Sequence, residues 1–272
     1  ELGCDLVILL GDNFYDDGVA SVDDPQWQSK FEEPYAGIDL PFYAVLGNHD
    51  YGGELPLLGS AGLGGLGNQF EKGPIEVAYT DVSEKWTMPA TFYTFQLGPV
   101  GFVAMDTNAM MFDNTDNGDQ SAWYPGAVAE LAGSDWIVGL GHHPYLSNGQ
   151  HGNAGDYDGL ELAGQTVTLP IVAGEGVKEF FDAHVCGSVD VYLSGHDHLR
   201  AWLDEPEALC GATLIVSGAG AKLRSIVERG NRTLFQDDTR EGFLHATVDG
   251  DSFVGRFFDR DGLLDFEHMV VR

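Results

Sequence analysis

Basic side chains are scarce in this chain. Across 272 residues, 13 Lys and Arg face 43 Asp and Glu, a formal net charge of −30. Such a field disfavours nucleic acid and anionic membrane as partners, because cationic surface supplies most of that affinity. The acidic residues are spread along the chain rather than gathered in a tail, which reads as a solvated acidic surface of the kind seen on salt-adapted proteins. Any anionic substrate would then need local cations to overcome the repulsion. Cysteine is equally sparse: Cys4, Cys186 and Cys210 are odd in number and form no C-x-x-C. They define no disulfide framework, and Cys4 and Cys186, beside apolar runs, read as small core residues. No run reaches the roughly 18 apolar residues of a membrane span. No internal repeat or compositional break divides the chain, so residues 1–272 are expected to form a single domain. The sequence opens at Glu1 without Met and enters a strand almost at once. A chain that has lost a signal peptide or the start of its domain would read this way.

What the sequence does contain is a regular alternation of apolar runs. Apolar residues make up 43 % and aromatics 11 %, ordinary values for a packed protein. Cys4 to Leu10 is a near-continuous apolar run, expected as a strand buried on both faces. Pro41 to Leu46, Thr91 to Leu97, Val100 to Met105, Trp136 to Leu140 and Val189 to Leu193 read as further strands. Asp24 to Tyr35, Ser121 to Leu131 and Gly176 to Ala183 read as helices, and the Gly- and Leu-rich Gly52 to Gly67 as a surface loop or insertion. From Ala212 onward the pattern turns to strands with short turns: Thr213–Val216, Phe243–Val248, Phe253–Phe258 and Phe266–Val271. Strand–helix alternation with a strand-rich end predicts an α/β domain with two stacked sheets.

Four of these strands are followed by polar blocks. They are Gly11-Asp12-Asn13-Phe14-Tyr15, Gly47-Asn48-His49-Asp50, Gly141-His142-His143-Pro144 and Gly195-His196-Asp197-His198. Loops at strand carboxyl ends thus receive a carboxylate, a phenol, an amide oxygen and several imidazoles. Two histidines at i and i+2 can aim at one point. The set suits a mixed site for a hard trivalent and a borderline divalent ion, with the Asp12 carboxylate able to bridge them. The structural alternatives are ordinary: Asp12 could cap a turn, Tyr15 could pack, Asn48 could hold the turn after Gly47, and His151 could be solvated in a polar loop. His184, His245 and His268 lie outside any block and are taken as surface or core residues.

In this order the blocks resemble those of the calcineurin-like metallophosphoesterase superfamily, and within it the purple acid phosphatases of the tartrate-resistant type. Further similarity lies in Lys85-Trp86-Thr87-Met88-Pro89 with Phe92-Tyr93, and in Ser217-Gly218-Ala219-Gly220. The resemblance implies a four-layer α-β-β-α sandwich of two mixed sheets, here lacking its first strand. It implies a ferric site from Asp12, Tyr15 and His198 and a divalent site (Fe, Zn or Mn) from Asp12, Asn48, His142 and His196. His49, and His151 nine residues after His142, would contact the phosphate or the leaving group. One departure stands out: that family's first block, D-x-G or D-x-H upstream of the G-D block, has no match in Glu1 to Leu10, and Asp5 sits inside the strand.

The implied activity is acid phosphatase action on a small phosphomonoester or a phosphoprotein. Two metal ions about 3.5–4 Å apart would clamp the phosphate and generate a hydroxide that attacks phosphorus in line, with no covalent enzyme intermediate. His49 and His151, of intrinsic pKa about 6.5, would protonate the leaving alcohol. Two alternatives stay open: a metallophosphodiesterase or nucleotide-cleaving relative, and a metal-binding homologue without catalysis. A monomer in a secreted, periplasmic or lysosome-like compartment is the expectation from family habit and from the acidic surface.

Overall fold

The computed structural model describes residues 3–53, 65–158, 160–162, 165–167, 172–227 and 229–272. Most of the Gly52–Gly67 loop, residues 54–64, lies outside them. Strands β1 (Val7–Leu10), β2 (Phe42–Val45) and β3 (Trp86–Thr87) form a parallel sheet in that order. Next come β4 (Tyr93–Leu97), β5 (Val100–Ala104) and β6 (Trp136–Leu140). A small hairpin, β7 (Leu160–Leu162) with β8 (Gln165–Val167), precedes β9 (Val191–Ser194), β10 (Arg200–Leu203), β11 (Thr213–Ser217) and β12 (Thr233–Asp237). Seven of these make one mixed sheet, ordered β12-β10-β11-β9-β6-β5-β4. Its centre (β5, β6, β9, β11) is parallel and its flanks pair antiparallel. Strands β13 (Gly242–Asp249), β14 (Ser252–Asp259) and β15 (Leu264–Val271) close the chain as an antiparallel meander.

The seven-stranded sheet is buried on both sides, and its side chains sort with the two-residue period of a strand. Phe102, Ala104, Val138, Leu140, Val191, Leu193, Trp202 and Ile215 enter one core. Their neighbours Val103, Tyr192, Ala201, Leu203, Leu214 and Val216 enter the other. The first core also takes residues of β1, β2 and β14 and lies between the sheets; Tyr43 stacks on Phe95 across it at 3.9 Å. The second is covered by α3 (Thr107–Met111), α4 (Gln120–Glu130) and α5 (Glu175–Phe180), through Met110, Tyr124 and Val177. On the far side of β2, Phe31 meets Phe42 edge-on at 5.3 Å. The architecture is the expected α-β-β-α sandwich. No helix among the described residues is long and apolar enough to cross a membrane.

Several local expectations need correction. Only Val7–Leu10 of the first apolar run is strand, half-buried rather than buried, and Asp5 precedes it, exposed. The expected helix over Asp24–Tyr35 is a short π-helical segment, Trp27–Glu32, in which Glu33 N–H donates to Gln28 O at 2.9 Å. Its wide turn buries both Trp27 and Phe31. Cys4 is exposed, and Cys186 forms a disulfide with Cys210, Cα atoms 5.2 Å apart. That span suits a disulfide, but no pairing is legible from three cysteines outside any motif. The bridge closes a loop of sequence separation 24, so replacing both cysteines by Ser should lower stability by about 3 kcal/mol. Urea unfolding of oxidised wild type against the double variant checks this; coincident curves would deny the bridge a stabilising role.

Candidate metal centre

The four blocks meet at one end of the sheets because small residues let strand ends approach. A Cβ on Gly11 would lie 2.5 Å from His142 Nδ1 and 2.8 Å from the Gly47 nitrogen, and one on Gly47 would collide with Asp12 Oδ1. The glycines ahead of Asp12 and Asn48 are thus demanded by close packing. Asp12 and His196 themselves sit at positive φ, 56° and 62°, a conformation Asp and His tolerate better than most residues and one that concentrates at functional sites.

After Gly47 the chain makes a single helical turn, α1 (Asn48–Tyr51). Asp50, buried, ties that turn to the first block. Its carboxylate accepts from Gly47 N–H (2.8 Å), Phe14 N–H (2.9 Å) and Asn13 Nδ2 (3.1 Å). Burial, then the nearby Asp12 charge, raises the Asp50 pKa to about 7 despite those donors. Asp50 stands in the second block, yet its positioning role emerges only from the fold.

Two sets of polar atoms gather around Asp12. Oδ1 lies 3.3 Å from His142 Nε2, which is also 3.2 Å from Asn48 Oδ1 and 3.0 Å from His196 Nδ1. Oδ2 accepts from the Tyr15 hydroxyl at 2.9 Å, itself 3.1 Å from His198 Nε2. All six residues expected as ligands are therefore brought together, each carboxylate oxygen of Asp12 facing one set.

The first set calls for a positive charge. His142 Nδ1 faces the Leu10 carbonyl at 2.8 Å, so that nitrogen carries the proton and Nε2 of the neutral ring presents a lone pair. Asn48 Nδ2 donates to Gly65 O at 2.5 Å, which turns its acceptor oxygen toward the same point. Lone pairs of His142, Asn48 and Asp12 would face one another unless a cation or a proton stood among them. Burial disfavours His142 charging, yet Asp12 outweighs it and the pKa of the ring is raised. Asp12 answers in kind: burial pushes its pKa up, but His142 and the His49 N–H, donated at 2.9 Å, bring it below the usual carboxylate range. In the second set burial, followed by the Asp12 charge, raises the Tyr15 pKa. His198 is pushed down to about 4 by burial and then by Arg224, and its Nδ1 is buried without a partner. A borderline or hard cation fits both sets by donor type.

The two residues expected to meet substrate flank these sets. His49 is half-buried, its Nδ1 2.7 Å from the Asp16 carbonyl and its ring 4.2 Å from that of Tyr15. The His151 ring lies 4.1 Å from that of His196. His151 N–H donates to Asp197 Oδ1 at 2.9 Å, and Gly152 N–H donates to Oδ2 at 3.3 Å. Asp197, buried between the two motif histidines, thus holds the His151 loop. Burial lowers the His151 pKa, with Asp197 opposing.

His143, given no role from the sequence, belongs to this neighbourhood. Ligand nitrogens of His142, His143 and His196 lie within 4.8 Å of one another. Its Nδ1 meets Thr107 Oγ1 at 2.9 Å, its Nε2 is buried without a partner, and burial lowers its pKa well below the usual imidazole value. Nothing in the sequence signalled it except the doubled histidine. His184, His245 and His268 stay outside the cluster of His142, His143 and His196.

A model of the family described as calcineurin-like phosphoesterase matches residues 1–200. Among curated proteins, tartrate-resistant acid phosphatase type 5 of Oryctolagus cuniculus is 27 % identical over 242 residues, 80 % of this chain and 62 % of that protein. The same-named protein of Homo sapiens is 27 % identical over 241 residues, with the same coverage. Purple acid phosphatase 3 of Arabidopsis thaliana is 27 % identical over 230 residues, covering 82 % of this chain and 56 % of its own length. The chain therefore spans about three-fifths of the curated relatives it matches.

Proposed function

The chain belongs to the calcineurin-like phosphoesterase family, and from that premise we propose that it is a two-metal acid phosphatase acting on phosphomonoesters, small or protein-borne. The observation that carries this is the division of Asp12, each carboxylate oxygen facing its own set of donors. Tyr15, His198 and Asp12 would hold a ferric ion, since a phenolate prefers it; Asp12, Asn48, His142 and His196 would hold Fe, Zn or Mn in the divalent state. Such a pair supplies charge for the phosphoryl oxygens and lowers the pKa of water.

The chain's own residues do the rest. Leu10 O fixes the His142 tautomer, and Asp50 locks the loop that bears Tyr15 to the turn that bears Asn48. With Nδ1 engaged by Asp16 O, His49 keeps Nε2 to carry the proton handed to the leaving alkoxide. His151, whose pKa burial depresses, acts as a neutral hydrogen-bonding group set in place by Asp197. The Cys186–Cys210 bridge favours an oxidising compartment, secreted, periplasmic or lysosome-like.

Metal analysis with a visible spectrum tests the proposal. About two metal ions per chain, iron among them, are expected, with p-nitrophenyl phosphate turnover at mildly acidic pH and a broad absorption band lost in Tyr15→Phe. One ion or none, with no band and no turnover, would overturn it.

A further inference from the structure

Lysine and arginine are rare here, and more than half of the 13 pair with a carboxylate. Among the described residues Lys30, Lys72, Lys85, Lys222 and Arg224 do not; the first three donate to the backbone carbonyls of Tyr15, Asp17 and Tyr35, which leaves Lys222 and Arg224. Both are exposed, and both lie on the segment that follows β11. Backbone bonds stitch that segment over the centre. Gly218 N–H donates to Leu199 O (3.0 Å) and Arg224 N–H to His198 O (3.1 Å), at the G-H-D-H turn. Further along, Val227 N–H donates to Asn148 O (2.8 Å) and Arg229 Nε to Gly149 O (2.8 Å), on the loop that carries His151.

The segment delivers its two charges to the rim. Lys222 Nζ stands 3.5 Å above the centroid of the Tyr15 ring. It sits on the ring face, while the hydroxyl edge is taken up by Asp12 and His198. Arg224 Nη1 lies 3.5 Å from Gln150 Oε1, next to His151, and its charge is felt at Tyr15, His151 and His198. Two cations cannot reverse the long-range field of a chain at −30, because exposed charges are screened beyond about 8 Å at physiological salt. Whatever they do is local. An ammonium and a guanidinium fork, paired with no carboxylate among the described residues, are groups that engage phosphate oxygens.

We propose that Lys222 and Arg224 form a subsite for a second phosphate group, so that the preferred substrates are phosphomonoesters carrying another phosphate a few bonds from the one removed. This extends the phosphatase proposal and depends on it for the reacting half of the substrate.

The test compares propyl phosphate with propane-1,3-diyl bisphosphate on the metal-loaded chain, wild type against the double variant Lys222→Gln, Arg224→Gln. Wild type should favour the bisphosphate in kcat/KM, and the double variant should lower that preference about tenfold, the scale of a lost charge-assisted contact. Rising salt should erode the wild-type preference in the same direction. An equal preference in wild type and variant would overturn the subsite. Calorimetric binding of propane-1,3-bisphosphonate, which is not hydrolysed, gives a readout independent of turnover. If neither ester is cleaved but the double variant binds the bisphosphonate about tenfold more weakly, the subsite stands and the phosphatase proposal falls. Unchanged or undetectable binding in both proteins removes the subsite whatever the turnover shows.

Discussion

Asp12→Asn is expected to cost phosphatase activity a factor on the order of 10³ or more, with loss of metal from both halves of the centre. Among the described residues no other side chain in the centre faces both donor sets, at 3.3 Å to His142 and 2.9 Å to Tyr15. Asn is the informative replacement. It keeps the size of Asp and tolerates the positive φ of 56°, so backbone strain does not confound the result as it would with a branched residue. What it removes is the negative charge that would offset two cations, and one of the two oxygens. Single-residue changes confined to one set, such as Asn48→Ala, should be milder because Asp12 remains. Metal analysis and p-nitrophenyl phosphate kinetics read both quantities together. An Asp12→Asn protein with two bound metals and a tenth of wild-type activity would remove Asp12 as the bridge.

The largest stability effect should come from Trp86→Ala, below the site rather than in it. Trp86 is 1 % exposed and packs edge-on against Trp27 at 5.0 Å and Phe31 at 5.1 Å, with Phe14 at 6.1 Å. Its Nε1–H donates to the Glu76 carbonyl at 2.9 Å. Truncation opens a cavity among these rings and strands that carbonyl, for a loss of about 3–5 kcal/mol. In a domain of this size the melting temperature should fall by about 6–20 °C. Phe14 precedes Tyr15, so the same variant should also loosen the ligand loop and weaken metal retention. Thermal unfolding at fixed metal concentration is the check, and a fall of under about 2 °C would mean that the cluster repacks around the loss.

The sequence was most legible where strands are buried and end in glycine. Trp136–Leu140 was bounded correctly, and β2, β5, β9 and β11 were bounded to within two residues, because apolar runs in a doubly covered sheet are unambiguous. Three of the four polar blocks were legible for the same reason, each lying just past such a run; the first follows β1, which is apolar but only half-buried. Strands β10 and β12 escaped notice. Arg200-Ala-Trp-Leu carries an arginine whose burial is made possible by Asp237 and Asp265, at 2.7 Å each, and no local pattern announces partners so distant in sequence. Thr107 was equally silent: its meeting with His143 joins the start of α3 to the loop after β6, which no spacing in the sequence announces. Lys222 and Arg224 sit in a segment without periodicity, and their place beside Tyr15 and Gln150 is a product of chain return rather than of spacing. Asp50 and Asp197 were in plain view within the blocks, but their work is done on backbone N–H groups that only folding brings near.

Asp12, Tyr15 and Asn48 descend from the three-stranded parallel sheet, whereas His142, His196 and His198 descend from the seven-stranded one. Cations bound between them would tie chain positions far apart in sequence, closing a much longer loop than Cys186–Cys210 does. Because the entropy of closure grows only with the logarithm of loop length, a tie about eight times longer than the disulfide loop adds only about 2 kcal/mol of restriction on the unfolded chain. Its distinctive effect is geometric: it would pin the strand ends of one sheet to those of the other, so that the slip between the layers and the spacing of the reacting groups become one and the same coordinate.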